Sequence, residues 1–433
     1  MLPYGSNGRR VAVVAGVRTP FAKAGTVLKS LSAIELGKLA VAELIQRAEI
    51  EGDQVDALMY GTVVPSVVAP NIAREVSLMP MLPKGVEAYT VGRACASANQ
   101  AITDAADQIV LGHHHVVIAG GAESLSNVPI LHSRTMSEKL VALSRAKTLP
   151  QRLGIVSSVR PRDLVPIAPA IAEPTTGETM GQSAEKMAKI NHIVREEQDQ
   201  FALRSHRMAA VGIEDGRLTA EIAPVWVPPR FEESLSADNG VRRDTSIEQL
   251  RALKPVFDRR YGSVTAGNAS PLTDGASAVL LMSDERARTL GYKPLAYIRS
   301  YAYAALDPGE QLLMGPVLAA PRALDRAGLH LKDMDLIEMH EAFAAQVLCN
   351  LRGLESREWA ERAGYTKPVG EVDRAKLNVM GGSISIGHPF GATGGRILTT
   401  LCNELVRRDG QFAMMTVCAA GGMGHAMIVE RAA

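Results

Sequence analysis

The chain has 433 residues, 46% of them hydrophobic, enough to bury a large core spread over more than one domain. Lys and Arg total 47 against 46 Asp and Glu, a net charge of +1 that argues against a general binder of nucleic acid or acidic polymers. The four cysteines have neither metal-type nor disulfide-framework spacing, no signal-peptide pattern opens the chain and no apolar run approaches the ~20 residues that span a bilayer, so the expected setting is a reducing cytoplasm.

Val11 to Val17 reads as a buried strand, Ala33 to Glu49 as an amphipathic helix and Asp56 to Tyr60 as a second strand. Val86 to Val91 is a third, and Ala101, Ile102, Ala105, Ala106, Ile109 and Val110 then mark the apolar face of a helix. Between them Cys95 falls near a helix N-terminus among small residues. Unpaired N–H groups and the helix dipole favour a thiolate there; a buried structural cysteine is the other reading. His113-His114-His115, at the helix end, reads as a cap rather than a metal site. Val116 to Ala119, ending at Gly120-Gly121, continues a βαβ rhythm that predicts a mostly parallel sheet.

Residues 123–254 differ in composition, broken by prolines except for a strongly helical stretch from Thr179 to Ala210. An insertion of that size is where a site gains specificity or a lid. Inside it Arg134, Lys139, Arg145, Lys147, Arg152, Arg160 and Arg162 stand against the single acidic Glu138, with Met136, Leu140 and Leu143 on one helical face. The segment reads either as a solvated loop or as a docking surface for anionic lipid, a partner subunit or a phosphate-bearing ligand.

The C-terminal part replays the opening rhythm. Leu295 to Ile298 is a strand, Pro316 to Ala327 a helix, Met334 to Glu338 echoes Val55 to Met59, Gly387 to Leu405 is a glycine-led turn into a long helix, and Phe412 to Val417 is again a strand. Asp274 to Leu281 matches Gly422 to Val429. The pattern predicts two copies of one α/β unit on a shared core: residues 1–122 plus 255–285, and residues 286–433, with 123–254 inserted in the first.

Three further clusters carry chemistry. Gly381 to Arg396 is glycine-rich but has neither the Lys-Ser/Thr of a phosphate loop nor G-x-G-x-x-G spacing. Within it His388, pinned between Gly387 and Pro389, is a candidate base for Cys95 or a turn histidine bonded to backbone. Cys418 opens Cys-Ala-Ala-Gly-Gly-Met-Gly, a thiol beside backbone that a ligand can approach closely. His340-Glu341-Ala342-Phe343 has the His-Glu order of a zinc helix without its second histidine, which rejects zinc.

Together these clusters resemble the thiolase family over nearly the whole chain. A cysteine in a small-residue turn, the His340 to Phe343 box, the Gly381 to Gly394 run and Cys-x-x-Gly-Gly-x-Gly occur in the family's order, joined by Val264 to Ser270 and Thr179-Met180-Gly181. The resemblance implies two βαβαβαββ halves in five αβαβα layers with an inserted loop domain. It also implies a 3-ketoacyl-CoA thiolase of fatty-acid β-oxidation, with coenzyme A as substrate and no cofactor or metal. Cys95 is then the acyl-carrying nucleophile, His388 its base, Cys418 the acid/base and His340 the holder of a water at the thioester oxygen. The backbone N–H groups of Cys95 and Ala420 form the oxyanion site, and Ser270, Arg242, Met180, Met314 and Phe343 contact substrate. His340, where most thiolases carry Asn, resembles the β-subunit of the trifunctional enzyme, and Thr179 replaces the usual histidine. Both departures count against short acetoacetyl-CoA and favour medium or long chains. The same resemblance implies a homodimer or homotetramer, a hydratase/dehydrogenase α-subunit as partner and peripheral membrane contact. The alternatives are an acetoacetyl-CoA thiolase working toward condensation, a decarboxylating condensing enzyme of the same fold, and a non-catalytic acyl-CoA-binding subunit.

Overall fold

The computed structural model describes residues 8–167 and 172–432. Its main strands are β1 (Val11–Arg18), β2 (Ala57–Gly61), β3 (Glu87–Val91), β4 (Val116–Glu123), β5 (Thr273–Ser283), β6 (Ala296–Ala305), β7 (Leu336–Met339), β8 (Phe412–Ala419) and β9 (Met423–Arg431). Its main helices are α1 (Ala33–Ala48), α2 (Ser97–Leu111), α3 (Arg134–Arg145), α4 (Leu149–Ser157), α5 (Met180–Ile190), α6 (Arg195–Glu214), α7 (Gly315–Ala327), α8 (Ala344–Leu354) and α9 (Thr393–Arg407). Among the described residues no helix is long and apolar enough to cross a membrane.

The strand order is β7-β8-β9-β6-β1-β5-β4-β2-β3. It repeats one pattern, β1-β5-β4-β2-β3 and then β6-β9-β8-β7, and Leu377 bridges Ile337 in parallel where the second copy of β3 would lie. Two residue pairs, Ala12 with Tyr297 and Val13 with Ala296, join the halves.

The sheet is mixed rather than mostly parallel, which corrects the sequence expectation. β2 runs parallel to β3 and β4, and β7 to β8, but β5 is antiparallel to β1 and β4, and β9 to β6 and β8. The cause in the second half is the turn between β8 and β9. Gly421 (φ 83°) and Gly422 (φ 69°) take left-handed backbone there, and a turn that short joins only antiparallel strands.

Alternation along the strands divides the apolar side chains among three cores. Val11, Met59, Val117 and Leu281 face the same core as Ala101, Ile102 and Ile109 of α2 and Ile397, Leu398 and Leu401 of α9, and Met415, Val417 and Met427 close it from the other half. The opposite faces pack outward: Leu58, Ile118 and Leu280 against Leu36, Val41 and Leu44 of α1, and Met414 and Ile428 against Val317 of α7 and Val347 of α8. α2 and α9 are thus a shared middle layer, giving the αβαβα arrangement.

Two local differences from the sequence expectation have physical causes. β4 does not stop at its glycines but runs on to Glu123, because it stays paired with β5 as far as Glu123 opposite Gly275; the glycines serve close approach instead, since a side chain at Gly121 would meet the carbonyls of Gly391 and Gly61 at 1.9 and 2.7 Å. The helical stretch 179–210 is two helices, interrupted where His192 takes φ 53° with no glycine to announce it. At the end of α2 the left-handed Gly112 caps the helix, with the His113 N–H also reaching the Gln108 carbonyl at 3.0 Å.

Candidate active site

The chemistry-bearing residues arrive at C-terminal strand ends, where α/β sheets gather ligands. β3 leads to Cys95, β7 to His340 and β8 ends around Cys418, while His388 comes from the turn ahead of α9. Ala94 is held at φ 44°, uncommon for a residue with a side chain, and the turn is pinned by the Arg93 N–H on Ser97 Oγ (2.8 Å) and by Ser97 Oγ on the Ala94 carbonyl (2.7 Å).

His388 Nε2 stands 3.3 Å from Cys95 Sγ. The hydroxyl of Thr393 donates to the Pro389 carbonyl at 2.9 Å, so at 2.7 Å it accepts from His388 Nδ1–H. The lone pair of His388 is therefore on Nε2, facing the thiol, as a base requires.

Burial pushes the Cys95 thiol up to about 12, against the backbone N–H groups of Ala420 and of Cys95 itself, which favour the thiolate. Burial, with Arg396 adding to it, holds His388 down to about 3. The resting pair is a neutral thiol and a neutral imidazole. This corrects the expectation of a thiolate favoured by the helix end: α2 starts only at Ser97, and desolvation outweighs the backbone N–H groups that favour the anion. Cys418 is 1% exposed, its thiol raised by burial and then by the charge Cys95 would carry. His340 is fully buried, its ring centroid 4.2 Å from that of His388, and ligand-type atoms of Cys95, His340 and His388 lie within 4.8 Å of one another. That spacing could also hold a metal; equally, it suits three groups acting on one substrate.

Arg242 and Ser270 line a cavity of about 360 Å³ shared with Lys23, His206, Phe257 and Ile384. Met180, Met314 and Phe343 stand outside its lining, the last two in the core cluster that both Met180 and Phe257 pack against. Phe257 meets Phe343 edge to face at 6.1 Å and lies over Gly181, so the apolar set backs the cavity rather than walls it.

Sequence reasoning passed over several participants. Glu123, fully buried, accepts from the N–H groups of Val63 (2.9 Å), Val64 (3.0 Å) and Gly391 (3.0 Å), tying two loops beside Cys95; burial lifts its carboxyl to about 7. Glu173, from the segment between β4 and β5, accepts the Gly421 N–H at 2.8 Å next to Ala420. Lys23 and His206 share the cavity with Arg242. An acid closing an apolar strand was the signal for Glu123; the others follow only from tertiary contact.

The family description "Thiolase, N-terminal domain" matches residues 11–285 and "Thiolase, C-terminal domain" residues 292–431. The chain is 50% identical to the 3-ketoacyl-CoA thiolase of Pectobacterium carotovorum subsp. carotovorum (strain PC1), over 98% of this chain and 97% of that one. It is 51% identical, with the same coverage, to the 3-ketoacyl-CoA thiolase of Alteromonas mediterranea. Among solved structures it superposes on human mitochondrial 3-ketoacyl-CoA thiolase in complex with CoA with a TM-score of 0.84, at 33% identity and 100% coverage of both chains. It superposes on the Bacillus anthracis acetyl-CoA acetyltransferase at 0.83, with 34% identity, 98% of this chain and 99% of that one.

Proposed function

The chain belongs to the thiolase family, and from that premise we propose how its residues divide the work of a 3-ketoacyl-CoA thiolase. The enzyme is an acyltransferase that cleaves a 3-ketoacyl-CoA with CoA into acetyl-CoA and a shortened acyl-CoA. Cys95 Sγ gives its proton to His388 Nε2 as it attacks the 3-keto carbon, so the thiolate need exist only in the attack. The N–H groups of Cys95 and Ala420 hold the resulting oxyanion, each such donor typically supplying about 3 kcal/mol. The carbon–carbon bond breaks to leave an acyl-Cys95 thioester and an acetyl-CoA enolate, whose oxygen is held by His388 and His340. Cys418 protonates the enolate carbon, then takes a proton from the incoming CoA thiol that removes the acyl group. The observation that carries this is the 3.3 Å approach of His388 Nε2 to Cys95 Sγ, on a sulfur that the Ala420 N–H also reaches.

Cys95→Ala should abolish thiolysis with the fold intact, and Cys418→Ala should still accept an acyl group on Cys95 yet stop exchanging the α-proton of acetyl-CoA. Turnover in the first variant, or near-normal exchange in the second, sinks the assignment. Carbon dioxide released from a malonyl thioester would instead support a decarboxylating enzyme built on the same Cys95, His340 and His388.

The apolar backing formed by Phe257, Phe343 and Met180 supports medium or long acyl chains. A specificity constant highest for acetoacetyl-CoA and falling with chain length contradicts that. CoA enters as substrate, with Arg242 and Ser270 at its cavity and the insertion, assigned to 123–254, supplying part of the wall. β3 pairs with β2 alone among the described strands, and such a free edge supports a homodimer, alone or as half of a tetramer. The basic segment 134–162 is the proposed contact for a hydratase/dehydrogenase α-subunit or for the membrane surface of the cytoplasm, in fatty-acid β-oxidation.

A further inference from the structure

We propose that Ser383, held by Arg396, fixes His340 as an Nε2–H donor that bonds the thioester oxygen of the substrate directly, without an intervening water. Ser383 Oγ lies 3.1 Å from His340 Nδ1 and 3.4 Å from Arg396 Nη2. A guanidinium can only donate, so Ser383 Oγ accepts from Arg396, and among the described residues the one acceptor paired with its own hydrogen is His340 Nδ1. Nδ1 is then the acceptor, and the ring hydrogen sits on Nε2.

That Nε2 is buried and has no partner among the described residues. A buried donor left unpaired costs about 1–3 kcal/mol, a cost that a ligand oxygen would remove. The ring stands against His388, in the group that includes Cys95, where a substrate carbonyl must lie. With its lone pair turned to Ser383, His340 has none to offer a metal at Nε2.

The device extends one step further back. Arg396 is 1% exposed and lies 3.6 Å from Glu338, two residues before His340 on β7. Burial, His388 and Arg396 together hold His340 neutral, well below the ordinary histidine range, so the ring donates a hydrogen bond and does not take up a proton. Thr393 passes its hydrogen to a carbonyl and makes His388 a base; Ser383, with no carbonyl bonded to its hydroxyl among the described residues, passes its own to His340 and makes it a donor. Two hydroxyls thus give two neighbouring imidazoles opposite tautomers. Ser383 is a positioning residue, acting through His340.

The identity of the bonded oxygen rests on the thiolase reading; the tautomer does not. The test uses full-length enzyme labelled with 15N-histidine, with His340→Asn to assign the signal, together with kinetics of Ser383→Ala. In the wild type His340 should carry its hydrogen on Nε2. In Ser383→Ala that preference should be lost and kcat should fall about tenfold, the size of one hydrogen bond, with the KM for CoA unchanged. Hydrogen on Nδ1 in the wild type overturns the proposal, as does a Ser383→Ala variant with wild-type kcat or with reduced kcat and an unaltered tautomer. Capture of an acyl group on Cys95 from a saturated acyl-CoA separately reports on the thiolase reading. If it fails, that reading fails, while the tautomer measurement still decides the role of Ser383.

Discussion

Cys95 and His388 face each other as neutral groups, which makes the free enzyme less reactive than a thiolate–imidazolium pair would be. With the thiol held up to about 12 and the imidazole down to about 3, both by burial first, neither titrates near neutrality. The thiolate fraction, and with it the rate of Cys95 alkylation by iodoacetamide, should rise about tenfold per pH unit from about pH 7 to about pH 9 without a plateau. Mass spectrometry of the Cys95 peptide, with Cys95→Ala as blank, measures it; a plateau already reached below about pH 7 would mean a resting ion pair. Cys95, His388 and Cys418 were legible in the sequence because each sits in or next to a turn whose glycines and small residues serve a local geometry. Ser383 and Arg396 belong to the same glycine-rich run, yet their roles are set by His340, 43 residues from Ser383 in sequence, and no spacing rule joins them.

At the level of elements, the middle layer works because α2 and α9 approach more closely than side chains allow. A Cβ on Gly394 would fall 2.2 Å from Asn99 Oδ1 and 2.9 Å from its backbone nitrogen, and backbone cannot move aside. Gly353, in α8, would meet side chains instead, the Met314 methyl at 2.6 Å, a flexible chain end that can swing away, and Val317 Cγ2 at 2.8 Å, which is stiffer. Gly394→Ala should therefore cost about 1–3 kcal/mol in urea unfolding. Gly353→Ala should cost less, because only side chains have to shift and up to about 1 kcal/mol of helix propensity offsets the crowding. Equal midpoints for the two variants would mean that the helices are not in close contact. The positions of the strands were readable from apolar runs and the repeat; their directions were not. Parallel and antiparallel strands carry the same alternation when both faces are buried, and only the short Ala420–Gly422 turn betrays the reversal.

For the whole molecule, the surface feature left over is the basic segment 134–162, and the structure redraws it. α3 and α4 have no buried residue, and Met136, Lys139 and Leu143 form the half-buried side of α3 while Leu140 and Val141 are exposed at 40% and 47%. The apolar face read from the sequence is thus split, because Lys139 turns inward to pair with Asp163 at 2.6 Å and Arg134 pairs with Glu138 at 3.0 Å. What remains outward is Arg145, Lys147 and Arg152 beside Leu149 (69% exposed), Leu153 (61%) and Val156 (54%). Basic and apolar groups on one exposed helical surface suit an anionic membrane, where each basic residue adds about 1 kcal/mol of salt-sensitive attraction and each inserted apolar side chain adds more. Wild-type enzyme should co-sediment with phosphatidylserine vesicles but not with neutral ones, and release in high salt. Changing Arg145, Lys147 and Arg152 to Glu should abolish binding while thiolysis continues, since none of the three lines the cavity at Arg242 and Ser270. Equal binding by wild type and the triple variant removes the membrane role, and co-purification with an α-subunit then becomes the decisive measurement for the same surface.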